Sequence, residues 1–131
     1  MAKRRLKKCN LYDGGKAILE NYLSSHKWDI DIIYAQNDDM ALGAIDALKS
    51  HGIIPGEDVI IISVDATKPA FVAMNNGDLN CTVECNPLIG NQLMKAIRDL
   101  VSGKTMPFRI ITEEKIYAQN DSELLIDQRE Y

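Results

Sequence analysis

Four consecutive polar side chains, Gln36, Asn37, Asp38 and Asp39, end the apolar run IIYA and lead directly into the amphipathic run MALGAIDALKS. An amide both donates and accepts hydrogen bonds, and a carboxylate beside it only accepts. Such a set suits a ligand covered in hydroxyl groups better than it suits a metal ion or a nucleophilic attack. Two further polar groups stand in equivalent places: Asp65 and Thr67 after VIIISV, and Glu84 and Asn86 after LNCTV. Asp38 and Asp39 also read as helix caps, and Thr67 and Asn86 as turn residues. Asp65, directly following an apolar strand, reads as a site residue.

Catalysis finds no positive support in the same residues. Paired carboxylates do acid–base work only where one has a raised pKa beside a reacting bond. No serine sits in a GxSxG turn, no Cys–His pair stands out, and no glycine-rich phosphate loop follows a strand. Gly14 and Gly15 precede a helical pattern without a strand ahead of them. Cys9, Cys81 and Cys85 lack CxxC spacing, and His26 and His51 are isolated, so a zinc site is not expected. Cys81 and Cys85, four apart on an extended segment, are too distant to bridge and read as buried free thiols. The chain reads as a binding protein that needs no cofactor.

The elements that must position these residues alternate. Ile18, Leu19, Tyr22 and Leu23 fall at helical spacing after the glycine pair, and Ile30 to Ala35 reads as a buried strand. A helix carrying Met40, Leu42, Ile45 and Leu48 runs to Gly52, a turn at 55–58 follows, and Val59 to Val64 is apolar enough for a strand covered on both faces. Ala70 to Asn76 reads as a short helix, Leu79 to Cys85 as the third strand, and Leu88 to Val101 as a helix with Leu93, Met94, Ile97 and Leu100 in register. Phe108 to Tyr117 alternates as a final strand, and the tail LLIDQREY reads as loosely held. This order predicts a three-layer α/β/α fold with a mainly parallel sheet and right-handed crossovers. In such a sheet the carboxyl ends of the strands share one rim, where polar ligands bind.

Size and charge are consistent with one domain. The chain has 131 residues, is 46% hydrophobic and carries a net charge of −4, which argues against nucleic acid or an anionic membrane as its main partner. The run KRRLKK lacks interleaved aromatics for base stacking and reads as a solvated terminus. It has no apolar stretch behind it and so does not read as a signal peptide. No run approaches the roughly 18 apolar residues of a membrane span.

The segments QNDDMALGAIDALKSHGIIPGEDVIIISVDAT and AMNNGDLNCTVECNPLIG resemble the C-terminal half of type I periplasmic sugar-binding proteins of ABC transporters, especially the galactofuranose- and ribose/galactose-binding branch. The resemblance runs from about Gly15 to Tyr131. It implies two α/β lobes joined by crossover segments, with a monosaccharide held in the cleft, a closed form recognised by a membrane permease, and an extracytoplasmic location for the full-length protein. It implies that Asn37 and Asp65 hydrogen-bond sugar hydroxyls, with a third contact from Glu84 or Cys85. Some members carry Gln at the position of Cys85, a departure that puts ribose itself in doubt.

The same resemblance divides the chain into a basic segment (1–14), lobe residues 15–86, a helix at 87–103 that crosses to the other lobe, and a final strand with its tail at 104–131. With no first lobe ahead of this portion, the sugar is expected to bind weakly or not at all, and the apolar face of the helix at 88–101 is expected to promote self-association. Two other readings are distinguishable. The ligand-sensing lobe of a LacI-type transcription regulator shares the fold, but NNGDLNCTVECNP fits transport proteins better. A flavodoxin-like phosphoacceptor domain would need a strand-terminal lysine that is not placed to serve.

Overall fold

The computed structural model describes residues 11–131; Cys9 and the basic run at 3–8 lie outside them. In chain order, helix α1 spans Leu11–Ser25, β1 Ile32–Tyr34, α2 Asp38–Ser50, β2 Ile60–Asp65, α3 Lys68–Asn75, β3 Cys81–Glu84, α4 Gly90–Val101, β4 Ile116–Ala118 and α5 Ser122–Leu125. The four strands form one sheet in the order β1-β2-β3-β4. The first three are parallel and β4 joins β3 antiparallel. The fold is α/β with a mostly parallel sheet.

Helix α2 forms because Ala41, Ala44, Ile45 and Leu48 recur at helical spacing, and all four are buried. Its partner is α1, and glycine allows the two to touch. A Cβ on Gly15 would lie 2.3 Å from the Met40 carbonyl oxygen, and one on Gly43 would lie 2.1 Å from that of Tyr12. Gly14 and Gly15 therefore sit inside α1, where Gly15 serves helix packing. They do not precede the helix as the sequence suggested. The core continues through Val59, Ile61, Ala70, Phe71, Met74, Leu79 and Tyr117.

Strand alternation separates two faces. Ile33, Ile61, Ser63, Thr82, Glu84 and Tyr117 share the covered face, as their register pairs require. On the other face, Ile32 is 58%, Tyr34 64%, Ile60 47% and Ile116 72% exposed. Among the described residues no helix seals that face, and α4 contributes no buried residue to the core. Its Leu93, Met94, Ile97 and Leu100 are exposed.

The C-terminal region departs most from expectation. Residues 108–115 form no strand, and only Ile116–Ala118 pairs with β3. Phe108 alternates with its neighbours, but it has no packed surface to meet and is fully exposed. The tail is held firmly. Arg129 Nη1 donates to Glu84 Oε1 at 3.1 Å and to the Tyr117 hydroxyl at 3.0 Å. The guanidinium also lies over the Phe71, Tyr117 and Tyr131 rings, with its central carbon 5.2, 5.1 and 4.5 Å from their centroids. The Lys68 N–H donates to the Tyr131 carbonyl at 2.7 Å, which satisfies an orphan donor at the start of α3.

Candidate functional site at the carboxyl ends of the strands

Asn37, between β1 and α2, is the N-cap of that helix. Its extended backbone (φ −153°, ψ 169°) lets Oδ1 accept the Met40 N–H at 2.9 Å. The cap thus falls on Asn37 and not on Asp38 or Asp39. Because Oδ1 is engaged, the amide presents its Nδ2 protons, which have no partner among the described residues.

Asp38 is buried in the first turn of α2. Its Oδ1 accepts from the hydroxyls of Ser63 and Thr82, the latter at 2.8 Å. Its Oδ2 accepts from the Thr67 N–H at 2.7 Å and the Thr67 hydroxyl at 2.9 Å. One carboxylate therefore ties together the ends of β2, β3 and α3. Spacing alone does not reveal this role, because the four donors come from three residues far from Asp38 in sequence.

Asp65 ends β2 with φ 121°, and Ala66 follows with φ 61°. Left-handed backbone at non-glycine residues costs about 1–3 kcal/mol each and persists only where surrounding contacts impose it. The Asp65 carboxyl is pushed above its ordinary value, first by burial and then by the Asp38 charge, with a smaller push from Asp39. The backbone N–H of Asp38 pulls it partly back. The turn that follows Asp65 is hydrogen-bonded through Thr67 to Asp38 in the first turn of α2, the helix that Asn37 caps.

Cys85 follows β3, is exposed, and donates its N–H to the Asp65 carbonyl at 3.4 Å. Cys81 is half-buried, with burial pushing its thiol up. Both are free thiols, but Cys85 is not buried as expected. Asn86 is a turn residue, its Oδ1 accepting the Leu88 N–H at 2.8 Å.

Glu84 goes elsewhere. It lies on the covered face with Thr82 and Tyr117, and its carboxylate is consumed by the tail: Oε1 accepts from Arg129 and from the Tyr131 hydroxyl at 2.8 Å. Its Oε2 accepts from the Lys115 N–H at 3.2 Å and the Tyr117 hydroxyl at 3.3 Å. Burial pushes the Glu84 carboxyl up, but the Tyr131 and Arg129 hydrogen bonds, the Arg129 charge and the Lys115 N–H together hold it below its ordinary 4.5. With four donors already bound, it has little capacity left for a sugar hydroxyl. The structure thus gathers Asn37, Asp65 and Cys85 at one rim and turns Glu84 into a clasp for the C-terminal segment. Among the described residues no cluster of His, Cys, Asp or Glu is fit to hold a metal.

Residues 8–105 match the periplasmic binding protein domain. The galactofuranose-binding protein YtfQ of Escherichia coli K12 is 32% identical over 106 residues, covering 79% of this chain and 33% of its own length. The fructose import binding protein FruE of Bifidobacterium longum is 38% identical over 106 residues, covering 80% and 32%. A solved Mycobacterium smegmatis protein in complex with β-D-fucofuranose superposes with TM-score 0.82 at 38% identity, covering 88% of this chain and 38% of that one. A solved galactofuranose-binding protein gives TM-score 0.83 at 28% identity, covering 90% and 41%. The chain spans about a third of the length of the curated relatives it matches.

Proposed function

The chain belongs to the periplasmic binding protein family, a family of solute-binding proteins and not of enzymes, and we propose from this that it supplies one wall of a monosaccharide site in an ABC import system. Asn37 Nδ2 donates to a sugar hydroxyl, the Asp65 carboxylate accepts from one or two, and Cys85 lines the rim beside them. What supports this reading is the Asn37 cap, whose Oδ1 is taken by the Met40 N–H, beside the β2 turn that Asp38 fastens to the same helix end. A furanose or a compact polyol matches such a donor–acceptor pair, and relatives are named for galactofuranose and fructose. The full-length assembly works outside the cytoplasm and hands its sugar to a membrane permease. The alternative of a LacI-type regulator lobe is not supported by the import binding proteins that the chain resembles.

Residues 11–86, which include all of α1, form the lobe proper, 87–103 the helix that crosses to a second lobe, and 104–131 the returning segment. The apolar stripe of α4 then belongs against a second sheet that these residues do not include. A sugar held from one wall keeps its other side hydrated, so each hydrogen bond exchanges with water for little net gain. Titration calorimetry of the 131 residues with D-fructose or methyl β-D-galactofuranoside is expected to show no tight saturable binding. A micromolar dissociation constant would overturn the half-site reading.

A further inference from the structure

We infer that Asp38 is the positioning residue of the rim: through Thr82 and Thr67 it holds the Asp65–Ala66 turn in its left-handed conformation beside the Asn37 cap. The inference rests on the sugar-site reading for its purpose, but its geometry stands separately. Asp65 and Ala66 occupy φ values of 121° and 61° without being glycine. A hydrogen-bond bracket fastens the turn on both sides. Ser63, two residues before Asp65, donates to Asp38, and so do the N–H and hydroxyl of Thr67, two residues after it. The Ala66 N–H donates to Thr82 Oγ1 at 3.1 Å, and that hydroxyl passes its own proton to Asp38 Oδ1 at 2.8 Å.

The bracket is specific in its chemistry. Four donors converge on two carboxylate oxygens, so Asp38 needs acceptor capacity on both. An amide in its place turns two N–H donors toward this set and leaves the Thr67 N–H or a hydroxyl without a partner. Thr82 must both accept and donate, which a hydroxyl does and a methyl does not. Since Asp38 follows Asn37 in the chain, one residue pins the carboxylate of the site to the helix whose cap carries the amide. Asp39, exposed on the next position of the same turn, makes no comparable contact.

The test uses the full chain and four variants: Asp38→Asn, Thr82→Val, Thr82→Ser and Asp39→Asn. Positive φ at Ala66 gives a strong intraresidue amide–Hα cross-peak in NMR spectra, and the bracket protects the Ala66 and Thr67 amides from exchange. Expected are loss of the cross-peak and at least about tenfold faster exchange of both amides in Asp38→Asn and Thr82→Val. Thr82→Ser and Asp39→Asn are expected to match the parent. Should Asp38→Asn fail to fold, the near-isosteric Thr82→Val against Thr82→Ser decides alone. Folded Thr82→Val with an unchanged cross-peak and unchanged protection overturns the inference. Adding methyl β-D-galactofuranoside separates the two claims. If the parent shows no response at Asn37 and Asp65, the sugar reading fails, while the exchange data still decide the role of Asp38.

Discussion

The Asp38 carboxylate accepts the Thr67 N–H at 2.7 Å, which fastens the turn after β2 to the first turn of α2, one residue from the Asn37 cap. The other oxygen of the same carboxylate accepts the Ser63 and Thr82 hydroxyls, from β2 and β3. This anion lies at a helix N-terminus, where the macrodipole and free N–H groups favour negative charge. The like charges of Asp38 and Asp39 nevertheless push the half-buried Asp65 carboxyl up.

Asp65→Asn is therefore expected to stabilise the protein at neutral pH while weakening any response to sugar. The Asp65 carboxyl titrates above its ordinary 3.8 in the folded chain. A raised carboxyl pKa means that ionisation costs folding free energy once the pH exceeds the folded value, and costs nothing below the unfolded one. The variant's melting temperature should exceed the parent's at pH 7, and the difference should vanish below about pH 3.5. Equal melting temperatures at pH 7 would show that Asp65 carries no such penalty.

Glu84 has the opposite sign. Its folded pKa lies below 4.5, so its stabilisation is fully present above that value and is lost as the pH falls through the folded value. Acidification below about pH 4 should release the C-terminal clasp, seen as changes at the Tyr117 and Tyr131 resonances before the α2 core melts. Glu84→Gln leaves the Arg129 guanidinium buried without its counter-charge, and Nε and Nη2 of that group already have no hydrogen-bond partner among the described residues. The expected loss is about 3 kcal/mol in urea unfolding. Adding Arg129→Met should recover part of it, giving a non-zero coupling in the double-mutant cycle.

The glycine contacts between α1 and α2 predict a steep packing penalty. Gly15→Ala and Gly43→Ala each drive a methyl group into backbone of the facing helix. Each should cost about 1–3 kcal/mol despite alanine's higher helix propensity. Gly90→Ala, on the open side of α4 with nothing near its Cβ, should be neutral or slightly stabilising. Urea denaturation of the three variants checks the contrast.

Much of this architecture was legible in the residues. The periods of 41–48 and 59–64 located α2 and β2, and the polar residues after each apolar run located the rim, because both signals are local. The roles of Asp38 and Glu84 were not legible. Asp38 looked like a cap because capping is the local habit of aspartate, yet its partners are Ser63, Thr67 and Thr82. Glu84 looked like a rim residue because it ends a strand, but its carboxylate is taken by Arg129 and Tyr131, nearly fifty residues away in sequence. The alternation at 108–115 misled for the opposite reason. A period of two marks a strand only where a neighbouring strand is there to pair with it.

The exposed stripe of α4 and the open sheet face predict association of these 131 residues in isolation. Sedimentation velocity should show a concentration-dependent shift away from monomer. Leu93→Lys with Ile97→Glu should suppress it without altering the far-ultraviolet circular dichroism spectrum. A strictly monomeric parent at high concentration would remove this proposal.

The most direct measurement is a ¹⁵N-resolved NMR titration of the chain with methyl β-D-galactofuranoside up to about 100 mM. The rim reading predicts small, fast-exchange shifts concentrated at the Asn37 side-chain amide and the Asp65, Ala66 and Cys85 backbone amides, with a dissociation constant in the millimolar range or weaker, and their disappearance in Asn37→Ala. Shifts centred on the α4 loop or the C-terminal clasp, or no shifts at the rim, would contradict it.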